Sequence, residues 1–407
     1  YYGTVGAVEF ITQDGSHTIH AAVRELNGNF AKTSSALSLH DANTATTSRA
    51  MTVTNLSSNA TYRTAVGFFN PTADSLTVEF TLLNNSGAQI GAQFSRTLAG
   101  HAFASFNPFT EAGMPYPTNS YDSVILRVRP TSGTGKLMCF GATANNASND
   151  PAAHVAVQGA TGYDNGPGSL QVLPEVIWAP ATGGGTWVSE VQLTDVTGGS
   201  QVSVYYNTLT GRRGPFLLWS NTGGALSSIK YSNLLQTIDG LDTGTFTYSG
   251  TVGSVEFVTQ DSSHTIHAAV RELNGNYAKT FPGLNLVAAE TADTARTMLV
   301  QNLTNNASYR TTVGFYNPTA DSLTVEFTLL DNLGAQIGTQ FSRTLAGHAF
   351  VSFNPFTEAG MAYPANSYDN VILRVRPTSG SGSVMCFGAS ANNASNDPAS
   401  HLAVQGE

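Results

Sequence analysis

Histidines at a spacing that could serve a metal site occur twice in this chain. The tetrapeptide HTIH runs from His17 to His20 and again from His264 to His267. Residues three apart on a β-strand lie on opposite faces, so the two rings of one tetrapeptide cannot bind the same ion. We therefore expect solvated or hydrogen-bonded imidazoles at these positions and predict no metal site.

The segment SNDP also occurs twice and places Asp150 and Asp397 at equivalent positions. Their carboxylates could bind calcium, which prefers oxygen ligands. An aspartate that precedes proline is, however, an ordinary beginning of a turn. The turn is the interpretation that we prefer, and calcium stays the alternative.

Short motifs of metalloproteases, thiol redox proteins, serine hydrolases and nucleotide-binding enzymes do not occur in the sequence. SGTGK at Ser132 resembles a phosphate-binding loop, but the second copy of this segment reads SGSGS. His40 and Asp41, a candidate catalytic pair, become Val287 and Ala288 in the second copy. We predict that the chain is not an enzyme, has no catalytic residues and uses no cofactor.

The two cysteines, Cys139 and Cys386, are one position in two copies, within the apolar runs LMCFGA and VMCFGA. One module therefore cannot contain a disulfide. We expect two buried thiols that pack as small apolar groups. A covalent link between modules or between chains is the alternative.

Asparagine sequons, which can accept a glycan, recur in both copies and fall in predicted turns. They are Asn55, Asn59, Asn146, Asn302, Asn306 and Asn393. A chain this rich in Asn, Ser and Thr also contains sequons by chance, so glycan attachment remains one of two alternatives.

All of these residues lie within a long internal repeat. Residues 1–160 return as residues 248–407 with a constant offset of 247, and most positions are unchanged. Such self-similarity indicates a chain made of modules. One period is too long for a single β-sandwich and has the right length for two related ones, which we call type I and type II.

The repeat predicts the domain boundaries. The order is the back part of a type I module (1–36), a first type II module (37–160), a Gly/Pro/Asn-rich linker (161–170), a complete type I module (171–284) and a second type II module (285–407). Linkers of that composition are typical of boundaries between domains.

Apolar and polar residues alternate along most of the chain, as in SLTVEFTLL from Ser75 and VILRVRP from Val124. This period-two pattern predicts half-buried antiparallel strands, separated by turn segments such as NPTADS. No helical pattern exceeds about two turns, and NPFTEAGM at Asn107 predicts a short helix. The predicted fold class is all-β: a tandem array of antiparallel β-sandwich domains joined end to end, the first of them incomplete.

Three segments resemble tandem Ig-like β-sandwich repeats of bacterial secreted and cell-surface proteins. They are LPEVIWAPATGGGTWVSEVQL at Leu173, ELNGNYAKTFPGL at Glu272 and ANNASNDPA at Ala391. The resemblance covers the whole chain and implies an extracellular, Ig-like repeat protein without an assigned activity. Lys32 and Lys279 depart from it, since such repeats more often have glutamine there.

Composition excludes some partners. Charged residues make up 11% of the chain and the net charge is -9, which argues against nucleic acid, because phosphates need clustered Lys and Arg. No run approaches the roughly 18 apolar residues of a membrane span. A surface of hydroxyls and amides is typical of secreted proteins, so we expect an extracellular or cell-surface location, and the resemblance indicates bacteria.

The incomplete first module leads to an expectation about assembly. Val5, Val8 and Phe10 belong to a strand whose neighbours are missing, which leaves a sheet edge and an apolar face uncovered. Either the chain is a window on a longer array, which we prefer, or another chain completes the module by strand addition. Phe216 and Trp219, in the apolar run FLLWSN, are a second candidate edge or interface.

These observations predict a structural protein that partners with itself, as a subunit or segment of an extracellular filament, layer or stalk. The alternative is an adhesin that binds cell-surface glycans and uses its repeats as a spacer or a multivalent binder. A third reading is an accessory array of an enzyme.

Overall fold

The computed structural model describes residues 7–11, 22–27, 30–35, 44–158, 169–181, 184–285 and 291–406. Within these ranges the chain is all-β, and every strand pairing is antiparallel. The predicted fold class is confirmed at this level. The predicted domain boundaries stay predictions.

The first type II module consists of a five-stranded and a four-stranded sheet, with strand orders β11-β3-β8-β5-β6 and β10-β9-β4-β7. Its strands are β3 Met51–Ser58, β4 Tyr62–Phe69, β5 Leu76–Leu83, β6 Gln89–Leu98, β7 Phe103–Phe106, β8 Tyr121–Gly133, β9 Met138–Asn145, β10 Pro151–Val155 and β11 Val157–Gln158. Val78, Phe80 and Leu82 of β5 share one core with Val66 and Phe68 of β4. The two sheets therefore enclose a common core, as the alternation predicted.

The second type II module repeats this arrangement residue for residue. Its sheets have the orders β28-β20-β25-β22-β23 and β27-β26-β21-β24. The strands are β20 Met298–Asn305, β21 Tyr309–Tyr316, β22 Leu323–Leu330, β23 Gln336–Leu345, β24 Phe350–Phe353, β25 Tyr368–Gly380, β26 Met385–Asn392, β27 Pro398–Leu402 and β28 Val404–Gln405. Every bound equals that of the first copy displaced by 247, so the repeat in sequence is also a repeat in structure.

The type I module differs from the expected pair of separate sheets. Its strands are β12 Leu170–Pro180, β13 Thr186–Asp195, β14 Gln201–Thr208, β15 Gly211–Ser220, β16 Ser227–Tyr231, β17 Thr251–Thr259, β18 Ile266–Asn274 and β19 Tyr277–Pro282. They form one sheet in the order β15-β14-β17-β12-β13-β18-β19, with β16 beside β13. β12 pairs with β17 along most of its length and with β13 only from Trp178 to Pro180. The short pairing of β12 with β13 therefore links two halves of the sheet, and both halves contribute residues to one core.

In the N-terminal segment, β1 Ala22–Asn27 and β2 Phe30–Ser35 form an antiparallel pair. Their register equals that of β18 and β19 displaced by 247. Both β2 and β19 lie beside the edge strands β10 and β27 of the two type II modules. Equivalent strands of the two copies therefore meet in one region of the molecule.

The helices are α1 Pro108–Glu111, α2 Leu234–Leu241 and α3 Pro355–Glu358. The helix expected at Asn107 is confirmed, and the Asn107 side chain accepts hydrogen bonds from the first backbone amides, as an N-cap does. No helix in the described ranges has the length and apolar character needed to cross a membrane.

Candidate assembly interface

An aromatic face of the second type II module lies buried against the type I module. Its four residues belong to the core of the type I module, and they are Tyr316, Phe350, Met385 and Phe387. The Phe387 ring meets Phe281 of β19 edge to face, with 5.2 Å between ring centroids. We call these four residues the covered aromatic face. The sequence predicted domains joined end to end. This contact instead joins the face of one sheet to the neighbouring module.

Two-sided burial of one sheet produces this face. Along β26, Cys386 points into the core of its own module, whereas Met385 and Phe387 point outward into the type I module. The Phe387 ring lies across Gly314 on the paired strand, where an added Cβ would approach the ring to 2.0 Å. Only glycine at position 314 leaves room for the Phe387 ring. Gly314 therefore allows that ring to lie across its strand.

Polar groups at the margin of the face are matched across the interface. The Tyr316 hydroxyl donates to Glu256 Oε1 at 2.5 Å, and Arg212 pairs with the same carboxylate. Arg212 also lies 3.2 Å from His348 Nε2. Burial and the Arg212 charge lower the pKa of His348, which favours the neutral ring beside the guanidinium. The buried Glu256 carboxylate is thus satisfied by groups from both modules.

The first type II module presents the same face, and no type I core residue of the described chain packs on it. The equivalent residues are Phe69, Phe103, Met138 and Phe140, which we call the uncovered aromatic face. Phe140 is 40% exposed, whereas Phe387 is 1% exposed. The Phe140 ring lies across Gly67 and stacks on Phe103 at 6.4 Å, the same separation as between Phe350 and Phe387. The uncovered face therefore already has the shape of the covered one.

The N-terminal segment exposes a strand sequence that its second copy buries. Val8 is 76% and Phe10 62% exposed, and residues 7–11 belong to no strand of the described chain. The equivalent Val255 and Phe257 are fully buried in β17, between β12 and β14. Val5, the third candidate, lies outside the described residues.

The other candidate edge lies at β15, the last strand of the type I sheet. Phe216 and Trp219 are only half-buried and pack against the module core. The apolar side chain that β15 presents to solvent is Leu217, which is exposed. β15 is thus the last strand in the sheet order, while Phe216 and Trp219 face the module core, and an interface at this strand stays a prediction.

The first type II module contacts the type I module through polar groups. Gln192 Nε2 donates to Ser123 O at 2.8 Å, and Lys230 bridges Asp122 and Glu190. Arg271, which pairs with Glu190 at 2.5 Å, also lies over the ring of Tyr62 at 4.2 Å. The type I module thus has an apolar interface with one neighbour and a charged interface with the other.

A buried ion cluster lies inside the type I module. Lys279 Nζ is 2.9 Å from Glu272 Oε2 and also pairs with Glu175 of β12. Burial, and then the charge of Glu175, hold the pKa of Glu272 above its ordinary value, although Lys279 lowers it. One ammonium therefore serves two buried carboxylates.

The two SNDP segments meet where the copies adjoin. Asp150 Oδ2 accepts a hydrogen bond of 2.7 Å from Ala278 N of β19. Burial, the charge of Asp397 and a hydrogen bond between the two carboxyl groups raise the pKa of Asp150 to about 8. Two neighbouring buried carboxylates repel each other, so Asp150 keeps its proton to a higher pH than a carboxyl group in water does. The described residues contain no group of three or more His, Cys, Asp or Glu side chains placed to hold a metal ion.

Replacing Asp150 with asparagine is expected to stabilise the protein at pH 8. The folded pKa of about 8 exceeds the ordinary value of 3.8, so the stability contributed by Asp150 falls as the pH rises between these values. The new amide would still accept the hydrogen bond from Ala278 N, and its N–H group would donate to Asp397 at every pH. We expect Asp150→Asn to gain about 1–3 kcal/mol at pH 8 and little at pH 4, measured by urea unfolding.

The exposed Asp74 provides the control, since Asp74→Asn should keep the pH profile of the unaltered chain. Equal slopes of unfolding free energy against pH for Asp150→Asn and the unaltered chain would contradict the raised pKa of Asp150.

The histidines of the second HTIH segment lie in different environments. His264 lies near the surface, 2.8 Å from Asp261, while burial lowers the pKa of His267 to about 4. His17, His20, His40 and Asp41 lie outside the described residues. Cys139 and Cys386 are both buried and unpaired as a disulfide, which agrees with the expected buried thiols.

Four of the six sequon asparagines stabilise turns. Asn146 Nδ2 donates to the backbone oxygens of Asn59 and Ala60, and Asn393 does the same to Asn306 and Ala307. Asn59 and Asn306 each accept two backbone N–H groups of their own turns. Asn302 is half-buried, and Asn55 is buried and cannot receive a glycan in the folded chain. A glycan on Asn146 or Asn393 would displace one of the donated bonds.

Comparison of the chain with protein-family models and with curated proteins finds no match.

Proposed function

We propose that this chain is a structural protein of the cell exterior that assembles with copies of itself through its β-sandwich modules into a filament, layer or stalk. Strand addition at residues 7–11 is the proposed mode of association. An exposed strand sequence with unpaired backbone is a template for a strand from another chain. The observation that carries the proposal is the contrast between exposed Val8 and Phe10 and their buried equivalents.

Two further features support assembly. Module contacts within the chain use core-like aromatic packing, as at Phe387, so modules of this kind have surfaces that bind one another. Charged residues make up only 11% of the sequence, and low charge weakens repulsion between closely packed copies. The Ig-like tandem arrangement, the bacterial source and the extracellular location belong to this proposal and rest on the sequence resemblance and composition.

Sedimentation velocity and negative-stain electron microscopy test the proposal on the full chain. We expect association that grows with concentration, and we expect the double variant Val8→Ser, Phe10→Ser to weaken it about tenfold or more. Leu333→Ser is the matched control, because Leu333 is 87% exposed and lies in the turn between β22 and β23 of the second type II module.

A chain that stays monomeric at about 100 µM, far above the dissociation constants typical of specific assemblies, would contradict the proposal. If that monomer bound a glycan array, the adhesin alternative would replace it.

A further inference from the structure

The strands β6 and β23 form the same sheet edge twice in one chain. Each is the last strand of its five-stranded sheet, beside β5 and β22 respectively, and most of its residues are exposed. Alternate residues of an edge strand direct their backbone N–H and C=O groups away from the sheet. Within the described chain no strand pairs with this outer side of β6 or β23.

Only the second half of each edge is open. Ala92 N donates to Ala112 O at the end of α1, at 2.9 Å, and Thr339 N makes the equivalent bond in the second copy. The end of the short helix therefore covers the first half of each edge. The open halves are residues 93–97 and 340–344, which share the sequence QFSRT and which we call the twin edges.

Features that protect a sheet edge occur on β15 and not on the twin edges. Pro215 lies within β15, and the register between β15 and β14 shifts at two places. Proline and such irregularities hinder pairing with a further strand. The twin edges contain neither proline nor lysine, and residues 94–97 pair with β5 in unbroken register. They are therefore better templates for a further strand than β15.

Two copies of QFSRT are complementary to each other in an antiparallel pair. When Ser95 lies opposite Ser95 of a second copy, Phe94 lies opposite Arg96 and Gln93 lies opposite Thr97. A guanidinium is attracted to an aromatic ring, and an amide can hydrogen-bond to a hydroxyl. In this register no arginine lies directly opposite another arginine.

The charge of the arginine does not oppose the approach of a second copy. Arg96 pairs with Glu111 of α1, and Arg343 pairs with Glu358 of α3 in the same way. Arg96 also lies 5.9 Å from the centroid of the Phe106 ring, so it already belongs to an aromatic surface. Each twin edge is therefore locally neutral, and its partner needs no opposite charge.

We propose that the twin edges pair in antiparallel register with the same edges of other copies of this chain. This inference rests on the proposed self-assembly and adds a second mode of contact to strand addition at residues 7–11. One self-complementary site per chain closes a dimer, whereas two let each chain hold two neighbours. The twin edges thus supply the two contacts per chain that a filament requires.

The test places charges at the centre of the pair, in a chain that carries Val8→Ser and Phe10→Ser so that strand addition is weakened. Sedimentation velocity should show that this chain still forms species larger than dimers. Ser95→Lys alone should stop growth at dimers, because only the second edge stays open. Adding Ser342→Lys should weaken the remaining association about tenfold or more, since like charges then face each other at both edges.

Charge exchange separates a loss of pairing from a loss of folding. Chains with Ser95→Glu and Ser342→Glu should also fail to associate alone, and mixing them with the lysine chains should restore association through opposite charges. Leu217→Lys is the matched control, because it adds the same charge to the protected edge β15 and should change nothing.

Two results overturn the inference: association that the paired lysine substitutions leave unchanged, and a mixture of lysine and glutamate chains that stays dissociated. A chain with Val8→Ser and Phe10→Ser that is monomeric at about 100 µM overturns it as well and leaves strand addition as the only contact. A monomeric unaltered chain, by contrast, contradicts the proposed function itself.

Discussion

Replacing Phe387 with alanine is expected to destabilise the type I module by about 3–5 kcal/mol, although Phe387 belongs to the neighbouring module. Its ring is fully surrounded, by Phe281 of the type I module and by Phe350 of its own. Removing the ring leaves a cavity in a core that both modules share. The same substitution at the equivalent Phe140, which is 40% exposed, should change stability by less than about 1 kcal/mol.

The three tryptophans make this prediction measurable in the full chain. Trp178, Trp187 and Trp219 all lie in the type I module, so tryptophan fluorescence during urea unfolding follows that module. Phe356→Ala is the control for a core substitution elsewhere in the second type II module, because Phe356 is buried in that module's own core. If Phe387→Ala leaves the fluorescence midpoint unchanged, or if Phe140→Ala shifts it equally, the two modules do not share an energetic core.

The sequence predicted the interior of each module well because the pattern that reveals it is local. Val124, Leu126 and Val128 were assigned to the inward face opposite Arg127 and Arg129, and all three are buried. The short helix at Asn107 was likewise predicted from its N-cap and proline. The longer helix α2 was not, although Asn233 caps it, because its apolar residues fill barely two turns.

The interface between modules was missed because identical local sequences have different environments. Phe140 and Phe387 both follow Met-Cys and precede Gly-Ala, yet only one has a neighbour on its outer side. A signal was present in the unbroken apolar run of each segment, since a strand that is buried on both faces loses its alternation. That signal indicates two-sided burial but does not name the partner.

Contacts between distant residues explain two further differences. Asp150 and Asp397 were treated as separate turn residues, and they meet because equivalent edge strands of the two copies pack together. Lys279 stood out only as a departure from the glutamine of similar repeats. The structure places it between two carboxylates, one of which, Glu175, is 104 residues away in the chain.

Loss of Lys279 is expected to have an effect as large as loss of Phe387. Lys279→Met keeps an unbranched side chain, one atom shorter than lysine, and removes the only cation in contact with Glu175 and Glu272 among the described residues. Breaking a buried ion pair by removing one partner typically costs about 3–5 kcal/mol, because the remaining charge is left without compensation. Urea unfolding followed by tryptophan fluorescence at pH 8 measures this loss directly in the type I module.

The pH dependence of the loss separates a charge effect from a packing effect. Without Lys279 the folded pKa of Glu272 rises further above its unfolded value, so the contribution of Glu272 to stability falls as the pH rises. The destabilisation by Lys279→Met should therefore be smaller at pH 5 than at pH 8, and adding Glu175→Gln should recover part of it. Arg376→Met, which breaks the pair between the half-exposed Arg376 and Glu326, should cost less than about 1 kcal/mol at either pH. A loss for Lys279→Met that is equal at both pH values and unaffected by Glu175→Gln would mean that Lys279 stabilises the module through its aliphatic chain and not through its charge.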